Sequence, residues 1–188
     1  HLVFGAPHTP IATLPGAAER TLSISSGGKT FSATGWKIGW VTGPAPLVDA
    51  VLTVKQFLTY VNGTPFQHAI AAGLALPDAF FTGIADTLRS KRDLLGDGLR
   101  AAGFDVSDPA GTYFTVADAA PLLAEGEDAA DFCRGLPERA GVVAIPLTAF
   151  ASPANRSEYA SLVRFAACKR VEVIAEASAR LARLTSAD

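Results

Sequence analysis

Lys29 follows a glycine pair in the stretch Ser25-Ser26-Gly27-Gly28-Lys29-Thr30-Phe31, and its amine is a group whose setting could do chemistry. A lysine amine attacks an electrophile only when neutral, so its free pKa of about 10.4 must be lowered by burial or by neighbouring positive charge. Lys37, eight residues on, can supply that charge. Attack on an aldehyde would give a Schiff base. Ser26 and Lys37 also make part of an anion site: one offers a hydroxyl and the other a cation, while Gly27 and Gly28 let the backbone approach closely. Phosphate suits such a set. The Gly-Lys-Thr triplet is not a nucleotide-binding P-loop. That motif needs glycine where Ser23 stands, and no amphipathic helical period follows Lys29. A solvated loop can also carry a lysine and a turn-forming serine, so residue types alone leave both readings open.

A second candidate is Arg164, the one charge in the apolar run Leu162-Val163-Arg164-Phe165-Ala166-Ala167-Cys168. A guanidinium there needs an anionic partner, because burying an unpaired charge is costly. A structural Asp or Glu would serve. So would the carboxylate of an amino-acid or 2-oxo-acid ligand, which the planar fork binds bidentately.

Ser26-Gly27-Gly28-Lys29-Thr30-Phe31, with Thr34-Gly35-Trp36-Lys37-Ile38-Gly39-Trp40 after it, resembles the cofactor-lysine signature of the class I pyridoxal-phosphate-dependent aminotransferases of fold type I. The likeness is strongest to their kynurenine/glutamine and N-succinyldiaminopimelate groups. The resemblance implies that Lys29 bonds covalently to pyridoxal 5'-phosphate and that Ser26 and Lys37 hold its phosphate. Many members carry arginine at the latter position, and lysine gives a point charge rather than a fork. Leu162 to Lys169 resembles the family element whose arginine binds the substrate α-carboxylate, which assigns that role to Arg164. Weaker likenesses cover Gly111 to Phe114, Gly141 to Phe150, and Lys55 to Tyr60 continuing through Thr64 to Gln67. The last segment is expected to reach a partner subunit's site in a homodimer, with Tyr60 as an aromatic wall; an ordinary core or interface tyrosine is the plainer reading.

The activity so implied moves an amino group from an amino acid to a 2-oxo acid, with N-succinyldiaminopimelate in lysine biosynthesis as one substrate reading. The alternatives are a kynurenine or glutamine aminotransferase, a cysteine-S-conjugate β-lyase sharing the site, and a non-catalytic module of the same fold. The family also uses an aspartate at the ring nitrogen, a tyrosine and an asparagine at the ring oxygen, a stacking aromatic and a backbone phosphate loop. No segment of this chain matches them. The chain has no methionine and opens on the apolar His1-Leu2-Val3-Phe4, which looks like the residues just after the family's Asp-x-x-Tyr strand. The expectation is therefore the C-terminal half of a longer enzyme, inactive alone.

The elements that must carry these residues can be read from periodicity. Arg20–Ser25 and Ile38–Thr42 read as strands on either side of the lysine segment. Pro46–Tyr60 reads as a helix with Leu47, Val51, Val54 and Leu58 in step. A longer helical stretch, Pro65–Ala102, should break near Pro77-Asp78 and stop at Gly103. Thr112–Ala117, Val142–Ile145 and Leu162–Cys168 read as strands, Ala129–Arg139 as a helix. The final helix carries Ile174, Ala177, Leu181 and Leu184 on one face, with Glu176 and Arg180 spaced to pair. This alternation indicates an α/β or α+β arrangement, and α/β is the class taken. In the family's terms it is part of the large-domain mixed sheet plus the α+β C-terminal small domain. Residues 1–65 are expected to be a remnant of the large domain, 66–86 a connecting helical region, and 87–188 the small domain.

Composition narrows the remaining possibilities. Of the 188 residues, 49% are hydrophobic and 18% charged, against roughly 25% charged in an average domain, which excludes a disordered chain. A net charge of -2 gives no basic footprint for nucleic acid. No apolar run approaches the ~20 residues that span a bilayer. His1, His8 and His68 do not cluster with one another or with Cys133 and Cys168, so no metal site is expected. The two cysteines are expected to be small buried thiols in a reduced, cytoplasmic protein.

Overall fold

The computed structural model describes residues 1–184, which divide into two units: Pro7–Phe80, and His1–Ala6 together with Phe81 onward. In the first unit β1 (Ser23–Ser26) and β2 (Gly39–Thr42) pair antiparallel, with Ser23 opposite Thr42 and Ser26 opposite Gly39. Helix α1 (Ala45–Leu58) starts after Pro44 and carries Pro46 in its first turn, where a ring with fixed φ is tolerated. None of its residues is buried, and Phe57 and Leu58 are 82% and 76% exposed. Helix α2 (Thr64–Leu74) begins after Gly63, whose φ of 45° reverses the chain. The long helical stretch is broken where Pro77 forbids continuation: α2 ends at Leu74 and α3 (Asp78–Ala101) restarts beyond the proline.

The second unit is an antiparallel sheet under helices. Strands β3 (Asp105–Val106), β4 (Phe114–Asp118), β5 (Ile145–Pro146) and β6 (Leu162–Ala166) lie in the order β3-β4-β6-β5. Burial alternates along β4 and β6, because successive side chains of a strand point to opposite faces. Thr115, Ala117, Val163 and Phe165 face the core. Leu95 and Leu99 of α3, Phe132 and Leu136 of α4 (Ala129–Ala140), and Ile174 and Leu181 of α5 (Val171–Leu181) complete it. The Asp128 carboxylate caps α4 by accepting from the N–H groups of Ala130 and Asp131, and Gly141 ends the helix at φ 64°. The bond from Asp131 N–H holds the Asp128 carboxyl below its usual pKa. Glu176 and Arg180 pair at 2.5 Å, as their four-residue spacing requires.

Two expectations are corrected, and one strand was not foreseen. The strand over Val142–Ile145 shrinks to Ile145–Pro146, since only these residues find partners on β6. β3 escaped notice because two residues have no period to read. Of the two thiols only Cys133 is buried, its pKa pushed by burial to about 11, whereas Cys168 lies beyond the end of β6 and is exposed. Among the described residues no single helix is long and apolar enough to cross a membrane.

Phe132 is fully buried and meets Phe104 edge-on at 5.9 Å. Phe132→Ala should cost about 3–5 kcal/mol of stability, checked as a lower urea midpoint at unchanged m-value in the intact protein.

Candidate active site

The lysine segment is the 27–38 connection between β1 and β2, and it bonds mainly to itself. Phe31 N–H donates to the Gly27 carbonyl at 3.1 Å, Ala33 N–H to Gly28 at 2.9 Å, and Gly27 N–H to Ile38 across the hairpin mouth at 3.0 Å. The loop is then held against one face of α2. Trp36 stacks on Phe66 with ring centroids 4.8 Å apart. A Cβ built on Gly27 would lie 2.6 Å from Ile70, one on Gly63 2.9 Å from Ile38, and one on Gly73 2.9 Å from Phe31. Positions 63, 66, 70 and 73 share one side of the helix, so a single helical stripe receives the whole loop. Glycine at three of these contacts allows the approach.

This packing carries Ser26, Lys29 and Lys37 on one hairpin, all three exposed. Ser26 ends β1, and Lys37 lies just before β2 in the left-handed region at φ 55°. Its carbonyl accepts from Asn62 Nδ2 at 2.5 Å, and Gln67 Nε2 donates in turn to the Asn62 carbonyl at 2.7 Å. Among the described residues no carboxylate lies within ion-pair distance of Lys29 or Lys37. A hydroxyl and two ammonium groups without counter-ions form a donor set suited to a phosphate ester bearing an aldehyde. Tyr60, in the same unit, also has a left-handed backbone at φ 53°, and its ring is exposed. Lys55 Nζ donates to the Tyr60 carbonyl at 3.1 Å and to Thr59 Oγ1 at 3.0 Å.

Arg164 belongs to the sheet of the other unit, on the side of β6 opposite the core. Its guanidinium carbon lies 4.0 Å from the ring centroid of Phe114 and 4.3 Å from that of Phe150. Nε is buried with no hydrogen-bond partner, and among the described residues no Asp or Glu pairs with the group. The structural ion pair that the sequence left open is therefore absent here.

The family described as aminotransferase class I and II matches residues 1–181. The chain belongs to this family. A Mycobacterium tuberculosis protein named "Probable N-succinyldiaminopimelate aminotransferase DapC" is 48% identical over 191 residues, covering 98% of the chain and 48% of the relative. A kynurenine--oxoglutarate transaminase of Dictyostelium discoideum is 36% identical, covering 88% of the chain and 42% of the relative. The chain thus spans about half the length of the curated relatives it matches. Among solved structures, N-succinyldiaminopimelate aminotransferase from Mycobacterium tuberculosis superposes at a TM-score of 0.91 with 48% identity, over 98% of the chain and 47% of that structure. A Thermus thermophilus aspartate aminotransferase variant superposes at 0.81 with 27% identity, over 98% of the chain and 46% of that structure. The architecture of the chain is that of the fold type I aminotransferases, here as a partial domain arrangement of mixed helix and sheet.

Sequence reasoning missed Asn62, the α2 stripe and the two phenylalanines around Arg164. Asn62-Gly63 has a turn signature, and Phe114 and Phe150 each end a family-like stretch, but nothing in their spacing told of a shared arginine. The hairpin itself offers a test. A methyl on Gly39 would lie 2.7 Å from the Ser25 carbonyl oxygen, whereas one on Gly35 meets nothing within 4 Å. Gly39→Ala should lower stability by about 1–3 kcal/mol, read as a denaturant midpoint against Gly35→Ala as control.

Proposed function

We propose that the protein containing this chain is a pyridoxal-phosphate-dependent aminotransferase that moves an amino group from an amino acid to a 2-oxo acid. The observation that carries this reading is Lys29 on the same exposed hairpin as Ser26 and Lys37, with no carboxylate among the described residues to neutralise it. N-succinyldiaminopimelate aminotransferase is the favoured activity, supported by 48% identity to the Mycobacterium tuberculosis relative of that name. A kynurenine or glutamine aminotransferase is the second reading, supported by the 36% identical Dictyostelium relative.

When bound, the cofactor supplies an aldehyde and an electron sink for the substrate's α-carbon. Ser26 Oγ and the Lys37 ammonium hold its phosphate, the first by donating a hydrogen bond and the second by charge. Lys29 Nζ is the amine that would hold its aldehyde carbon. When not bonded to the cofactor, Lys29 Nζ would serve as the base that takes the proton from the substrate's α-carbon and as the acid that gives it back. Arg164 grips the α-carboxylate through the edge of its guanidinium, fixing the orientation of the substrate's α-carbon. Tyr60 lends an aromatic wall across a homodimer interface in the cytoplasm, and the exposed apolar side chains of α1 supply covered surface for that partner.

Lys29→Ala in the intact protein should abolish the visible absorbance of lysine-bound cofactor and cut kcat by at least about 10²–10⁴-fold, the usual worth of positioned proton transfer. Turnover with that absorbance intact refutes the assignment. Arg164→Ala removes hydrogen bonds to a charged group worth about 1.5–3 kcal/mol, so KM for the amino donor should rise roughly 10- to 150-fold. An unchanged KM counts against its role. An amino-donor panel on the intact enzyme separates the two substrate readings.

A further inference from the structure

The setting of Arg164 raises a question of physics: what holds a half-buried guanidinium in place when no carboxylate does. Its guanidinium carbon lies over two rings, 4.0 Å from the centroid of Phe114 and 4.3 Å from that of Phe150. We propose that Phe114 and Phe150 are positioning residues that clamp Arg164 by its faces and leave its edge free for a ligand carboxylate; this rests on the reading that Arg164 binds the substrate carboxylate.

Geometry favours the division of labour. A guanidinium is flat, carries all five N–H donors in its plane, and has none above or below it. Aromatic faces carry the negative part of the ring quadrupole, so two rings can attract the cation while occupying no donor. An Asp or Glu in the same place would hold the side chain as firmly but would take the donors the ligand needs and cancel the charge that attracts it. The chain uses that second device elsewhere: Arg92, Arg100, Arg134, Arg139 and Arg180 each pair with a carboxylate. It does not use it at Arg164.

The two rings arrive by different routes. Register pairs Val116 with Arg164 and Phe114 with Ala166, so Phe114 is the diagonal neighbour of Arg164 on the same face of the sheet. Phe150 closes the short 3-10 turn Leu147–Phe150 and stays 60% exposed. A ring that exposed adds little to any core, which leaves the guanidinium as its main neighbour among the contacts described. The clamp also removes rotamer freedom before the ligand arrives. A free arginine carries about 2 kcal/mol of side-chain entropy, and fixing it beforehand spares binding that loss.

The test is affinity for a simple competitor, an aliphatic monocarboxylate, measured on the intact cofactor-loaded enzyme beside the matching carboxamide. Phe150→Leu keeps apolar bulk but removes the ring face. It should weaken carboxylate binding about 2- to 30-fold, the range of a cation–π contact, with carboxamide binding unchanged. Phe150→Tyr should keep carboxylate affinity within about twofold, because the ring face remains. Phe114→Leu repeats the test from the other side. Equal losses for carboxylate and carboxamide, or no loss for either, overturn the clamp. Should Arg164→Ala weaken the carboxylate while Phe150→Leu and Phe114→Leu do not, the clamp fails and the role of Arg164 stands. If Arg164→Ala leaves carboxylate binding untouched, both fall.

Discussion

The seating of the 27–38 loop on one stripe of α2 is the constraint on which the proposed cofactor site depends. That loop has no sheet partners along most of its length and only one short 3-10 turn, at Thr34–Trp36. Its order comes from side chains entering spaces left by glycine: Phe31 over Gly73, Ile38 over Gly63, Ile70 over Gly27. Burying one such side chain is worth about 1.5–3 kcal/mol, enough to outweigh the backbone entropy of only one or two residues. The loop's own hydrogen bonds must supply the rest. Lys29 is thus carried on a segment fixed by shape rather than by secondary structure.

Charge is distributed with the same selectivity. Five arginines engage carboxylates, and surface pairs of this kind contribute little stability. Lys29, Lys37 and Arg164 engage none among the described residues. An unpaired cation near protein surface loses some hydration and gains nothing until an anion arrives, so these positions are structurally wasteful and chemically ready. The hairpin lysines stay solvated, which keeps the cost small. Arg164 is half-buried, and there the rings compensate.

Much of this was legible from residue order. The helix and strand pattern around Lys29 followed from periodicity and from Pro44, Pro65 and Pro77, and α3 restarted beyond Pro77 as the proline required. Arg164 stood out because a strand with one charge has to account for it. What stayed hidden were relations between segments far apart in the chain. The Asn62 amide reaches the Lys37 carbonyl across 25 positions, and Phe150 meets Arg164 from an irregular turn. Local pattern carries no information on either, because both depend on how the elements pack. The exposure of Cys168 was hidden for a similar reason: an apolar run does not announce where its strand stops.

Lys37 and Tyr60 share one feature, a left-handed backbone in a residue with a full side chain. Such a conformation costs about 1–3 kcal/mol at each position, and glycine would relieve it at once. Breeding this protein for heat resistance alone would therefore drift towards glycine at both places, and the hardier descendants would have surrendered an ammonium and a phenol. On the proposed reading, ruggedness and ligand binding compete for the same two residues.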